Sequence, residues 1–292
     1  MKVLLVGGSG QLGSEIRGRW SQDEIVAPPH SELSLEETGD LELAIDAESP
    51  ELVVNCAAFH NVDLCESQPE AAFSVNALAV DRAAALCQAR DIAFVTISTD
   101  YVFDGRASRP YAENDCPNPV SAYGASKLAG EQLVLRRDMK AYVVRTCGVY
   151  GVAGSKSKGT FVDRIIAQAR AGETPRVVSD VIASPTYAGD LAAALRKLIA
   201  TGAYGLYHAA NPGPVSWYDF ASAALELAGV AQRIEPISAS QWKAPARRPA
   251  FSALAIPKLA ALGIAMPPWR EGIAAYLRDR VALRRNRKPP VR

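Results

Sequence analysis

The stretch "VLLVGGSGQLGSEI" (Val3–Ile16) joins an apolar run to a helical pattern through a glycine-rich turn. The apolar run is typical of a buried strand, and the residues after the last glycine have helical periodicity. The glycines follow the spacing Gly7-x-x-Gly10-x-x-Gly13. Two interpretations compete: a tight turn that any fold could use, or a loop whose backbone approaches a phosphate at a helix N-terminus.

Four more apolar runs follow, at intervals that leave room for crossover helices. They are Glu24–Ala27, Glu51–Cys56, Ile92–Ser98 and Ala141–Thr146. Short Val- and Ile-rich runs that alternate with helical patterns predict a parallel sheet covered on both faces. We therefore expect an α/β fold: a Rossmann-type, doubly wound parallel sheet with a smaller, partly interleaved α/β substrate lobe.

Helical periodicity is present over 34–47, 69–90 and 123–136. The first of these opens with Ser34 and Glu37 at capping-box spacing, which predicts that the helix begins there. A later stretch, 154–160, contains glycine, serine and lysine and predicts a loop.

The composition excludes several classes of partner. The chain has 292 residues and a net charge of +1, so no strong field indicates binding to nucleic acid or to a membrane surface. The five cysteines form no C-x-x-C pair, which favours reduced thiols and a cytoplasmic location. We expect no metal site, because the three histidines and the cysteines show no ligand spacing.

The strand before the glycines and the helix after them favour the phosphate interpretation, because a dinucleotide fingerprint requires that context. Gly7 then permits the turn, Gly10 lets the backbone approach the pyrophosphate, and Gly13 lets the helix pack closely. Gln11 and Leu12 carry the first N–H groups of the helix and complete the predicted phosphate site.

The choice of nicotinamide cofactor depends on the end of the second strand, "VAPPHSE". A carboxylate there usually holds the adenosine ribose, and this strand ends without one. His30 and Ser31 can serve a 2′-phosphate instead, although for His30 an exposed loop histidine is an equal interpretation. We expect NADPH and leave NADH open.

A candidate catalytic group follows the fourth strand. Tyr123 and Lys127 are four residues apart, so on a helix they share a face. A nearby ammonium favours the phenolate and should lower the tyrosine pKa. Thr99 ends the fourth strand, at the edge where open α/β sheets bind ligands.

The glycine loop, Thr99, Tyr123 and Lys127 occur in the order that resembles the extended short-chain dehydrogenase/reductase superfamily. Within it, the chain resembles the dTDP-4-dehydrorhamnose reductase family over nearly its whole length. The blocks that carry the resemblance are "PELVVNCAAFHNVDLCE", "STDYVFDG", "YGASKLAGE", "SPTYAGDLA", "GLYHAANPGPVSWYDFA" and "ARRPAFSAL". Three of these lie in the second half of the chain.

The resemblance implies NAD(P)H-dependent reduction of the 4-keto group of dTDP-4-dehydro-L-rhamnose to dTDP-L-rhamnose. Tyr123 is then the proton donor, Lys127 holds the cofactor ribose, and Thr99 bonds the substrate oxygen. Asp100 and Tyr101 are expected beside the sugar. Small residues and one aromatic, Ala57, Ala58 and Phe59, are expected along the cofactor.

The same resemblance implies a division of the chain. Residues 1–149 form the predicted NAD(P)-binding domain, with later returns near 185–212. Residues 150–184 and 213–292 form the predicted substrate-binding lobe. A homodimer is left open.

The sequence departs from the family at "RTCGVYG", where Gly148 replaces a tryptophan that faces the sugar. Val181 and Phe251 also stand where other residues are common. We therefore predict a roomier sugar pocket, lined in part by Gly148. Two alternatives stay open: another nucleotide-sugar 4-ketoreductase or epimerase, and a non-catalytic NADP-binding regulatory homologue.

Overall fold

The computed structural model of the protein describes residues 1–37, 39–153 and 159–286. Most of the loop predicted over 154–160 therefore lies outside the described residues. Across the described ranges, no helix is both long and apolar enough to cross a membrane.

A six-stranded sheet in the order β2-β1-β3-β4-β5-β8 forms the centre of the fold, and every pairing in it is parallel. The strands are β1 (Lys2–Val6), β2 (Glu24–Val26), β3 (Leu52–Asn55), β4 (Ala93–Thr99), β5 (Ala141–Thr146) and β8 (Gly205–His208). The predicted α/β class is confirmed. The order changes direction at β1, which opens a crevice beyond the carboxyl ends of β1 and β3.

Helices cover both faces of this sheet. They are α1 (Gln11–Arg19), α2 (Asp40–Glu48), α3 (Val62–Ser67), α4 (Pro69–Phe73), α5 (Val80–Ala89), α6 (Ala122–Leu135) and α8 (Ala188–Thr201), with a π-helical turn at Ser74–Ala79 and a 3-10 turn at Asp100–Val102. Successive strand residues point to opposite faces. Val3 and Leu5 accordingly pack with α1 and α8, while Leu4 and Val6 pack with α2 and α5.

The second half of the chain also builds a separate apolar cluster. The remaining helices of this half are α7 (Phe161–Arg170), α9 (Trp217–Leu227), α10 (Pro257–Ala261) and α11 (Trp269–Asn286), and the remaining strands are β6 (Arg176–Val178), β7 (Ile182–Ala183), β9 (Val215–Ser216) and β10 (Glu235–Ile237). Strand β6 pairs with β10, and β7 with β9. Phe220 and Tyr276 are fully buried between α7, α9 and α11. By contrast, Leu259 of α10 packs against the main sheet. The division into two lobes remains a prediction.

The predicted start of the second helix was wrong. Helix α2 begins at Asp40, after Gly39. The Ser34 hydroxyl accepts from the backbone N–H of Glu36, two residues on, at 3.3 Å. The Ser34 N–H donates to the Asp40 carboxylate at 3.0 Å. Ser34 therefore stabilises a turn in front of the helix rather than the first turn of the helix itself.

Candidate active site

A cleft of about 530 Å³ opens at the carboxyl edge of the sheet. Most predicted site residues line it: Gly10, Gln11, Leu12, Ala57, Ala58, Thr99, Asp100, Tyr101, Tyr123, Lys127 and Gly148. Gly7, Gly13, His30 and Phe59 are not among the lining residues. The cleft therefore brings together residues from the ends of β1, β3, β4 and β5 with one face of α6.

The glycine loop is built by close approach of backbone to backbone. Gly7 has φ of +79°, and a β-carbon there would lie 2.9 Å from the Ala57 nitrogen. A β-carbon on Gly13 would overlap the Gly7 carbonyl oxygen and lie 2.7 Å from the α-carbon of Gly8. A β-carbon on Gly8 would lie 2.8 Å from the Ala27 side chain. Gly7 and Gly13 thus shape the loop from below, although neither lines the cleft.

The N-terminus of α1 faces the cleft without a capping side chain. The residue before the helix is Gly10, which has no side chain to cap the first N–H groups. The Gln11 side chain instead accepts from the Gly151 N–H at 2.7 Å, so it ties the helix start to the segment after β5. Uncapped N–H groups at a helix N-terminus fit the phosphates of a dinucleotide.

His30 lies in an exposed turn after β2, away from the cleft lining. Phe59 is held by Asn76, whose amide oxygen accepts from the Phe59 N–H at 2.9 Å. The Asn76 amide group donates to the Phe59 carbonyl and to the Ser126 hydroxyl, at 3.1 and 3.0 Å. Asn76 is buried and comes from the π-helical turn. It therefore fixes the loop after β3 against the helix that carries Tyr123.

Tyr123 and Lys127 share the cleft-facing side of α6. The Lys127 ammonium is buried and donates to the Ile97 carbonyl at 2.7 Å. Burial lowers the pKa of Lys127 to about 8. The Thr99 hydroxyl lies beside the Tyr123 phenol, and this proximity by itself lowers the phenol pKa.

We expected a lowered tyrosine pKa, and this was wrong for the site as the structure shows it. Burial raises the pKa of Tyr123, and the nearby Asp100 charge adds to the increase. The Lys127 ammonium is directed at a backbone carbonyl rather than at the phenol. Tyr123 is consequently protonated at neutral pH, which suits a proton donor.

Asp100 is buried between three side chains that donate to it or contact it. The Thr99 hydroxyl donates to one carboxylate oxygen at 3.1 Å, and the Cys147 thiol to the other at 3.0 Å. Ser252 also contacts this carboxylate. Burial raises the pKa of Asp100 to about 6 despite these donors. Its neighbour Tyr101 meets Tyr123 edge to face, with ring centroids 6.0 Å apart.

The prediction of a roomier pocket at Gly148 was wrong. Gly148 has φ of +49°, and a β-carbon there would lie 3.0 Å from the Trp217 ring. Trp217 starts α9, lines the cleft and packs edge to face on Phe161. An aromatic side chain from the second half of the chain thus occupies the space beside the glycine.

The sequence analysis did not predict a buried ion pair one helical turn after Lys127. Glu131 and Arg145 form a buried, bidentate ion pair at 2.7 to 3.0 Å. Glu131 also accepts from the Ser98 hydroxyl. The spacing of four residues from Lys127 to Glu131 was a signal that could have found it.

These features define a class of protein: a Rossmann-type reductase that carries a tyrosine and a lysine at the carboxyl edge of its sheet. The family model described as RmlD substrate binding domain matches residues 1–281. The chain belongs to this family.

Individual relatives agree with the family. A dTDP-4-dehydrorhamnose reductase of Burkholderia thailandensis is 36% identical, covering 96% of this chain and 99% of its own length. A probable dTDP-4,6-dihydroxy-2-methyloxan-3-one 4-ketoreductase of Streptomyces antibioticus is also 36% identical, covering 100% and 99%. The crystal structure of dTDP-4-dehydrorhamnose reductase from Bacillus anthracis in complex with NADP superposes with a TM-score of 0.90 at 33% identity, covering 95% and 99%.

Proposed function

We propose that this chain reduces the 4-keto group of dTDP-4-dehydro-L-rhamnose to dTDP-L-rhamnose, with NADPH as the reductant. One observation carries the proposal: Thr99, Tyr123 and Lys127 meet in one cleft, beside the uncapped N-terminus of α1. The relatives' names supply the substrate class, and the NADP complex of one relative supplies the cofactor.

The roles of the residues follow from their chemistry. Bound NADPH supplies the hydride that reduces the sugar carbonyl. Tyr123, protonated at neutral pH, donates its proton to the oxygen that becomes the new hydroxyl. Lys127 uses one N–H on the Ile97 carbonyl and keeps two for the cofactor ribose. Thr99 bonds the same substrate oxygen as Tyr123.

Cofactor binding is proposed for the remaining predicted residues. Gly10, Gln11 and Leu12 offer backbone N–H groups to the pyrophosphate, and Gly7 and Gly13 hold the loop in shape. Ala57, Ala58 and Phe59 follow β3 and border the nicotinamide half. His30 is proposed for the 2′-phosphate at the exposed edge.

The direct test compares Tyr123→Phe with the wild type. We expect loss of NADPH oxidation with the dTDP-linked 4-keto sugar, and NADPH binding close to the wild-type value. Tyr204→Phe is the matched control, because Tyr204 is 45% exposed and lies outside the cleft. Normal turnover by Tyr123→Phe would contradict the proposed proton donor.

A second candidate is reduction of another dTDP-linked 4-keto sugar. The Streptomyces antibioticus relative is named for such a substrate, and Gly148 with Trp217 gives this pocket a different wall from the family pattern. A panel of nucleotide-linked 4-keto sugars separates the candidates by which one consumes NADPH. An epimerase would convert its sugar without net oxidation of NADPH. A regulatory homologue would bind NADPH but would not oxidise it with any sugar of the panel.

The cellular setting and assembly are also proposals. All five cysteines are free thiols, which supports a cytoplasmic location. A homodimer remains a prediction that sedimentation velocity tests.

A further inference from the structure

The hydrogen bonds around Thr99 compete for a single proton. A hydroxyl has one O–H donor and two acceptor lone pairs. The Thr99 oxygen accepts from the Tyr101 N–H at 3.1 Å and donates to the Asp100 carboxylate at 3.1 Å. A hydroxyl that donates to Asp100 has no proton left for a substrate oxygen.

The protonation of Asp100 decides this competition. A carboxylate only accepts, and a charge-assisted bond from the Thr99 hydroxyl is stronger than a neutral one. A neutral Asp100 can donate to the Thr99 oxygen, so that both lone pairs of Thr99 are filled and its proton is free. The thiol of Cys147 still donates to the other Asp100 oxygen. In that state the Thr99 proton is the one donor of this group that is left for a substrate oxygen.

We propose that Asp100 is a positioning residue whose protonation directs the Thr99 hydroxyl: the neutral acid frees its proton for the substrate oxygen, and the carboxylate captures it. The proposal rests on the proposed 4-keto reduction. Under this proposal the Thr99 hydroxyl donates a hydrogen bond to the developing alkoxide only when Asp100 is neutral.

The surroundings of Asp100 disfavour its charged form. Its exposure is 3%, and burial raises its pKa to about 6. The titratable groups that face it are Tyr101 beside it, Tyr123 on α6 and Cys147 after β5. None of the three carries a positive charge that would stabilise the carboxylate. Ser252, from the segment before α10, is a neutral donor.

The Cys147 thiol offers a second way to change the titration of Asp100, because it donates to the carboxylate. A thiol is a weak donor, and a serine hydroxyl in its place is a stronger one. Cys147→Ser should therefore stabilise the Asp100 carboxylate and move its titration to lower pH. A purely structural role for Cys147 gives no such shift.

The experiment measures kcat/KM for the 4-keto sugar between about pH 5 and pH 7, below the titration of Lys127 at about 8. All variants carry His60→Gln, so that no imidazole lines the described cleft in any of the proteins compared. With Asp100 intact, we expect kcat/KM to fall by up to about tenfold between pH 5 and pH 7, because the neutral fraction of a group that titrates at about 6 falls by about that factor. Loss of one donor to a developing oxyanion costs about 10²–10³, so the carboxylate form contributes little.

Asp100→Asn mimics the neutral acid, because its amide N–H can donate to Thr99 while its oxygen accepts from Cys147. We expect a flat profile at the level of the acid limb. Cys147→Ser should keep the limb and move it to lower pH. The proposal is overturned if kcat/KM of Asp100→Asn still falls with rising pH, or if Asp100→Asn is folded but inactive at every pH. It is also overturned if Cys147→Ser leaves the midpoint of the fall unchanged.

Failure of the proposed function is distinguishable from failure of this inference. Absence of NADPH oxidation by the wild type with every 4-keto sugar would contradict the function alone. Infrared difference spectra between wild type and Asp100→Asn then decide the inference. A protonated carboxyl that titrates near pH 6 supports it, and a carboxylate at every pH above about 5 overturns it.

Discussion

Gly13→Ala tests whether the glycine loop depends on close approach of the helix. The added β-carbon would overlap the Gly7 oxygen and lie 2.7 Å from the Gly8 α-carbon, where ordinary contact begins at 3.4 Å. Helix α1 must therefore withdraw by about 0.7 Å or more, and overpacking of this kind costs about 1–3 kcal/mol. At about 1.4 kcal/mol per tenfold, the NADPH dissociation constant should rise about fivefold to 150-fold.

The assay is a fluorescence titration of NADPH, with urea unfolding measured on the same samples. Gly18→Ala is the matched control, because Gly18 lies on the same helix, is exposed and has nothing within 4 Å of its β-carbon position. It should bind NADPH normally and gain about 0.5–1 kcal/mol of stability. Wild-type affinity and stability in Gly13→Ala would refute the reasoning.

Three further predictions concern the surroundings of the cleft. Glu131→Gln leaves the buried Arg145 cation without its partner, so the free energy of unfolding should fall by about 3–5 kcal/mol in urea; a loss below about 1 kcal/mol would contradict this. Burial lowers the pKa of His208 to about 3, so below pH 6.5 the protein takes up a proton when it unfolds. The free energy of unfolding should therefore fall by up to about 1.4 kcal/mol for each unit of decreasing pH between 6.5 and 3. His208→Gln should remove that slope. Trp217→Ala, beside Gly148, should raise the KM for the sugar about tenfold and leave the NADPH affinity unchanged. Tenfold corresponds to about 1.4 kcal/mol of aromatic contact. An unchanged KM would argue against an aromatic wall at this position.

The sequence predicted the parts of the fold and site that depend on local order. Strands alternate with helices, and in a parallel sheet their carboxyl ends lie at one edge. Thr99 at the end of β4 and Tyr123 on α6 could therefore be placed near one cleft before any coordinates were known. The helical face shared by Tyr123 and Lys127 follows from their spacing alone.

Contacts between distant segments could not be predicted in this way. Trp217 reaches Gly148 from another element, and the pattern around the glycine indicated only a missing side chain. The thiol of Cys147 donates to Asp100 although 47 positions separate them. The predicted start of α2 was wrong for a local reason: the motif at Ser34 fits both a helix cap and a turn, and its hydrogen bonds to Glu36 and Asp40 form a turn.

The pKa shifts at the cleft share one physical cause, and that cause favours reduction. Desolvation is the largest contribution for Asp100, Tyr123 and Lys127 alike. Burial disfavours charge, so it keeps the proton on the phenol, raises the pKa of the carboxyl to about 6 and lowers the pKa of the ammonium to about 8. A site that begins by giving a proton to an alkoxide needs the phenol neutral at the start. The tyrosine therefore does not need a lowered pKa for its proposed role; the buried cleft already holds it in the donating form.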